Sequence, residues 1–302
     1  MHEIDHFKPL IEKRLGSIRE LQLIERGFSN EQKFKMTIDE NDYLLRLSAI
    51  KSIDSKITEF ELIKKLYAKG VRCNKPIDIF SNEEQESVCA VYSYLPGSDA
   101  ERNIASIPEE IQYQIGVDAG KDLKQINSLS RDTKNWKERK WIKHERYVSR
   151  YLRQSYRFKN DEKVLSFIKT QYDATEADRD CLQHDDFHPG NIIINEGGYS
   201  GIIDFNRYDW GDHLQEFVKL EWFTWPVSKA FARGQIDEYF GKRCLKDTEC
   251  LQISVYIAMS VISSIVWTLE FHPHTLKHME TRMQTILDHY DYFERVLPEW
   301  AG

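Results

Sequence analysis

The chain has 302 residues, 41 % of them hydrophobic, enough for two domains or lobes with sizeable cores. Its formal net charge of −7 runs against a nucleic-acid binder, which carries a basic surplus; it favours a cationic partner, unless it serves solubility alone. Cys73, Cys89, Cys181, Cys244 and Cys250 show no C-x-x-C spacing and read as reduced thiols of a cytoplasmic protein. The first thirteen residues are charged and lack the apolar core of a signal peptide.

In chain order, Phe7, Leu10, Ile11 and Leu15 mark one face of a short helix over 7–15. Strands follow over 21–25 and 31–38, around the turn Gly27-Phe28-Ser29-Asn30, and again over 43–47. Phe60, Ile63, Leu66 and Tyr67 give the apolar face of a helix over 57–69 that Gly70 stops. Strands over 76–80 and 88–94 lead to Leu95-Pro96-Gly97. The pattern then turns helical, over 108–129 and over 136–154. The second of these helices interleaves aromatics with Lys137, Arg139, Lys140, Lys143, Arg146, Arg150 and Arg153. Such a face can bind phosphates, although a solvated helix face with core aromatics is the commoner outcome.

The densest chemistry lies at Gln183-His184-Asp185-Asp186-Phe187-His188-Pro189-Gly190-Asn191. An Asp separated by four residues from an Asn is the spacing of a kinase catalytic loop, where the Asp takes the proton of the attacking hydroxyl and the Asn binds magnesium. The β-branched run after Asn191 reads as a buried strand, Gly197-Gly198 as a turn, and 199–203 as the returning strand. That strand ends in Asp204-Phe205-Asn206, where a kinase carries Asp-Phe-Gly and its metal-binding Asp. His184 and His188 also fit a His-x-x-x-His metal pair, but Pro189-Gly190 argue against the helix such a pair needs. Ile253 to Trp267 is the most apolar stretch; it is too short and too Ser-interrupted to span a bilayer and reads as a buried helix.

Asp186-Phe187-His188-Pro189-Gly190-Asn191, Ile203-Asp204-Phe205-Asn206 and Trp210-Gly211-Asp212 resemble the aminoglycoside phosphotransferase family, the antibiotic-kinase branch of the protein-kinase-like fold. The resemblance is densest over 181–216 and weaker over 20–97; beyond 216 only compatible helical patterning is seen. It implies an α+β, two-lobed fold. The N-lobe, 1–94, would hold an antiparallel sheet with a helix, and the mostly helical C-lobe, 95–302, the catalytic loop, metal site and acceptor pocket. It further implies Asp186 as catalytic base and Asn191 and Asp204 as Mg2+ ligands. Arg46 would grip the phosphates of ATP or GTP, positioned by Glu59 with Glu61 as fallback. Ser29 would reach phosphate oxygens, and the hinge at Tyr94 would hold the base. Asp212 is the best match for a carboxylate that braces the loop. The implied acceptor is an aminoglycoside and the implied role antibiotic resistance; a macrolide, a choline-like amine or another metabolite, or a nucleotide-binding module without turnover, stay open.

Two positions depart from the family. Asp185 stands where the family usually has Gly, and its carboxylate either points inward beside the base or out to solvent. Asn206 replaces the glycine of Asp-Phe-Gly and tolerates φ > 0 better than most residues.

Overall fold

The computed structural model describes residues 3–25, 31–82, 86–176 and 180–301. The chain forms two compact units, one of Met1–Ser98 with Ile193–Asn206, the other of Asp99–Ile192 with Arg207–Gly302. The sequence division at residue 94 assigned 193–206 to the second lobe; in the structure this segment packs within the first unit.

The first unit is built on five antiparallel strands in the order β1-β2-β3-β5-β4, where β1 is Ile18–Ile24, β2 Gln32–Ile38, β3 Asn41–Ala49, β4 Pro76–Asn82 and β5 Ser87–Ser93. Alternation along β2 puts Phe34, Met36 and Ile38 on one face, where with Leu45 and Leu47 of β3 they bury Phe7 and Ile11 of the N-terminal segment and helix α1 (Lys8–Leu15). Helix α2, Ile53–Ala68, buries Phe60, Leu62, Ile63 and Leu66, and Phe60 packs its ring 5.5 Å from that of Tyr92 in β5. The predicted turn at 27–30, and with it Ser29, lies outside the described residues.

The hairpin of strands Ile192–Asn195 and Gly198–Ile202 is tied to this unit by the Ile202 amide, which donates to the Arg72 carbonyl at 2.9 Å. Gly97 permits the closest approach: it has φ +119°, and a Cβ there would lie 2.1 Å from the Ile194 carbonyl oxygen.

The second unit is helical: α3 Glu109–Asn127, α4 Trp136–Arg153, α5 Asp161–Gln171, α6 Lys229–Phe240, α7 Asp247–Phe271 and α8 Leu276–His289. Helix α7 is long and apolar enough to cross a membrane, where 253–267 was read as too short; 72 % of its apolar window is buried inside the protein, the buried helix that reading expected. Helices α3 and α6 touch backbone to backbone, because a Cβ on Gly234 would stand 2.1 Å from the Tyr113 carbonyl oxygen. No side-chain rotation relieves that clash. Gly234→Ala is therefore expected to cost about 1–3 kcal/mol in chemical denaturation; an unchanged midpoint would mean that the two helices separate freely.

The basic stripe of α4 is largely engaged by its own chain. Lys137 donates to the carbonyls of Asp173 and Thr175, Arg139 to Asp209 and the Trp210 carbonyl, Lys140 to Gln215 and Arg150 to Glu270. Of its apolar side chains, the aromatics Trp136 and Tyr151 are buried, while the aliphatics Ile142 and Leu152 stay exposed.

Candidate active site

The loop is presented by a four-residue strand, Asp180–Gln183, buried along its whole length. His184 is buried too; its Nδ1 accepts the Asp186 amide at 3.3 Å, and its ring packs edge-on against the fully buried Phe187. His188 caps the following turn, its Nδ1 accepting the Gly190 amide at 3.1 Å. Both histidines thus shape the loop, and among the described residues no group of three His, Cys, Asp or Glu side chains converges on a metal position.

Asp186 is brought together with Asn191 and with a residue that sequence reasoning missed. The Asn191 side-chain amide donates to the Asp186 carbonyl at 2.9 Å and to its Oδ2 at 3.2 Å. That leaves the Asn191 carbonyl oxygen, a hard donor suited to magnesium. Lys219 places its ammonium 2.8 Å from Asp186 Oδ1. Burial pushes the Asp186 carboxyl up, but the His188 ring, its Nε2 3.7 Å from Oδ1, and the charge of Lys219 override it and hold the group well below the usual carboxylate range. The charged form of Asp186 is thus favoured, which suits it to orienting a hydroxyl.

The carboxylate that braces this loop is Glu216, and Asp212, expected in that role, works one step away. Fully enclosed, Glu216 accepts the amides of His184 and Asp185, and Asn127 donates to it at 3.5 Å. Asp212 instead caps the turn His213–Glu216 through the Leu214 amide at 3.0 Å, takes the Tyr256 hydroxyl at 2.7 Å, and offers its carbonyl to Gln183. The signal for Glu216 was available: a lone carboxylate within Leu214…Phe217-Val218 has to find a buried partner.

Burial first, and then the nearby Asp185 charge, push the Glu216 carboxyl from its ordinary 4.5 up to about 8. A folded-state value above the unfolded one favours folding fully below 4.5, and that contribution is lost as the pH climbs through about 8. Wild-type stability should accordingly fall across this window and Glu216→Gln should flatten the slope. Parallel pH profiles of the denaturation midpoint would refute the assignment.

The two departures from the family exchange roles. Asp185 sits at φ +56°, in the left-handed region that favours Gly, whereas Asn206 does not; in the second segment Asp204 takes the positive φ, +69°. Asp185 is part-buried, and burial raises its carboxyl against the pull of Lys219, Lys140 and Lys143. The two neighbouring carboxyls thus shift in opposite directions.

In the first unit, Asp204 Oδ2 lies 3.4 Å from the ammonium of Lys33 on β2. Its Oδ1 is buried without a hydrogen-bond partner among the described residues, a spare anionic oxygen that fits a divalent cation. Arg46 and Glu59 meet as the strand and helix placements implied, Nη1 to Oε1 at 2.7 Å. The guanidinium is also held by Glu31, which sequence reasoning missed, through its Nε at 2.7 Å; Lys56 bridges Glu31 and Glu59. Burial, pushing Glu31 up, is outweighed by Arg46 and Lys56, which bring its carboxyl down to about 2. The fallback Glu61 instead pairs on the surface with Lys64. At Tyr94 the amide is already spent on the Asp42 carbonyl at 3.0 Å, so a base at that hinge would have to use another backbone group.

The fold is found among solved kinases of antibiotics. The GDP complex of an aminoglycoside 2′-phosphotransferase-IIIa mutant aligns with a TM-score of 0.70 at 15 % identity, over 96 % of this chain and 99 % of that one. The gentamicin complex of APH(2″)-IIa aligns at 0.64 and 18 % identity over 92 % and 95 %. A thermostable mutant of APH(4)-Ia, in ternary complex with ADP and hygromycin B, aligns at 0.62 and 12 % over 93 % and 97 %. No curated protein matches the chain. The phosphotransferase enzyme family (APH) matches residues 20–249, most of the sequence and all of the loop just described, and the chain belongs to that family.

Proposed function

We propose that the chain transfers the γ-phosphoryl group of a nucleoside triphosphate, ATP or GTP, to a hydroxyl of a small molecule in the cytoplasm. The observation that carries this reading is the Asp186 carboxylate, kept charged by Lys219 and His188 at the end of a loop whose amides Glu216 holds. Asp186 accepts the hydrogen bond of the acceptor hydroxyl and fixes its line of attack. Asn191 and Asp204 supply oxygen ligands for magnesium, whose charge neutralises the phosphates when it is bound. Arg46, its guanidinium fixed by Glu59 and Glu31, would set its positive charge towards the non-transferred phosphates. Positioning and electrostatic stabilisation supply most of the acceleration.

An aminoglycoside acceptor, and with it a role in antibiotic resistance, is supported by the gentamicin and hygromycin B complexes of structures sharing this fold. A second reading, an acceptor that is not a polycation, is favoured by the cations Lys219 and Arg282 lying over Phe223 beside the base. The test is magnesium-dependent ADP or GDP release with aminoglycosides, macrolides, choline-like amines and acidic alcohols. Acceptor-stimulated release supports the kinase; nucleotide binding without release under any acceptor would point to a module without turnover.

A further inference from the structure

An alcohol whose hydroxyl bonds Asp186 has to lie against the side chains around that carboxylate. In the second unit these are Lys219, His188 and Phe223. The Lys219 ammonium, 2.8 Å from Asp186, lies 5.4 Å from the centre of the Phe223 ring, and the His188 ring lies 5.0 Å from it. From α8, the guanidinium of Arg282 sits 5.2 Å from the same ring centre. Arg282 is part-buried and has no carboxylate partner among the described residues.

Several carboxylates of this region have partners of their own. Glu216 holds the loop amides and Asp209 pairs with Arg139. Glu221, two residues before Phe223, accepts the Trp300 indole and the Tyr290 hydroxyl. Asp185 lies in the field of Lys140, Lys143 and Lys219. A polyamine placed here would meet the like charges of Lys219 and Arg282 beside Phe223. An anion would find a guanidinium already desolvated on one face by an aromatic ring and free to make a charge-assisted pair.

We propose, building on the alcohol-kinase reading, that the acceptor carries its own anionic group, a carboxylate or a phosphate, which Arg282 binds over the Phe223 ring while the hydroxyl reaches Asp186. The overall charge of −7 does not oppose this, since the field that matters is that of the few groups within a Debye length of the base.

The experiment uses one hexose in several charge states: galactose, galacturonate, galactose 6-phosphate and galactosamine, with kanamycin as polycation. Each is titrated calorimetrically into the full chain saturated with a non-hydrolysable ATP analogue and magnesium. The expected result is tighter binding of galacturonate or galactose 6-phosphate than of galactosamine, by about tenfold or more, equivalent to about 1.4 kcal/mol. Which of the two anions binds better decides between carboxylate and phosphate. In Arg282→Gln, whose fold is checked by its thermal midpoint, the advantage should collapse while affinity for the nucleotide analogue is kept. Tightest binding of galactosamine or kanamycin, binding without charge dependence, or no binding of any hexose would overturn the proposal. Failure of the kinase reading shows separately, as absence of nucleotide binding or as ADP release insensitive to Asp186→Asn.

Discussion

Asp186→Asn should lower acceptor-stimulated turnover by about 10²–10⁴-fold, the usual worth of a positioned general base, and leave the fold intact. The substitution keeps the shape of the side chain. The Lys219 ammonium that loses its partner is about one-fifth exposed and can be rehydrated, so little stability is at stake. Because Lys219 and His188 hold the wild-type carboxyl below its ordinary 3.8, protonation of Asp186 should not limit the rate at any pH above that value. An acid limb near neutrality would then belong to another group. Native folding with undiminished turnover in Asp186→Asn would remove this residue from the chemistry altogether.

Arg46→Met carries the largest expected loss of stability, about 3–5 kcal/mol, the cost of removing one partner from a buried ion network. Arg46 is only 6 % exposed and Glu59 3 %, and without the guanidinium Lys56 alone would face both Glu31 and Glu59. Arg46→Lys should recover only part of the loss, because a single ammonium cannot reproduce the fork that reaches Glu31 through Nε and Glu59 through Nη1. Urea denaturation of the three proteins tests the order. Equal midpoints would mean that the network contributes nothing net.

What could be read from the sequence was what is local. The strands, the helices at 57–69 and 136–154, and the loop from His184 to Asn191 declare themselves through period, punctuation and spacing within a few residues. The Arg46–Glu59 contact was accessible through the resemblance alone, which asks for a strand cation paired with a Glu on the next helix. The partners that complete the site lie outside such windows. Lys219 reaches the loop from a segment after the hairpin with no spacing to mark it, and Glu216 is marked only by the apolar residues around it. Glu31 adjoins an unpatterned turn, with nothing to distinguish it from a surface acid. The positive φ of Asp185 is set by the bend the chain makes into the loop, which only the backbone reveals. Helices α6 and α8 were legible merely as compatible patterning, and α5 was not read at all, because their amphipathic faces carry no motif.

The quartet of Arg46, Glu31, Glu59 and Lys56 sums to zero charge within a space that admits little water. None of the four can be exchanged alone for a residue of different charge without stranding another. A lineage descending from this chain can drift freely over its surface, yet at these positions it has to move in compensating steps, and the intermediate ancestor bears the full penalty. The nucleotide-side framework of this protein is in that sense a historical lock: it constrains the order in which mutations can be accepted as much as the structure they leave behind.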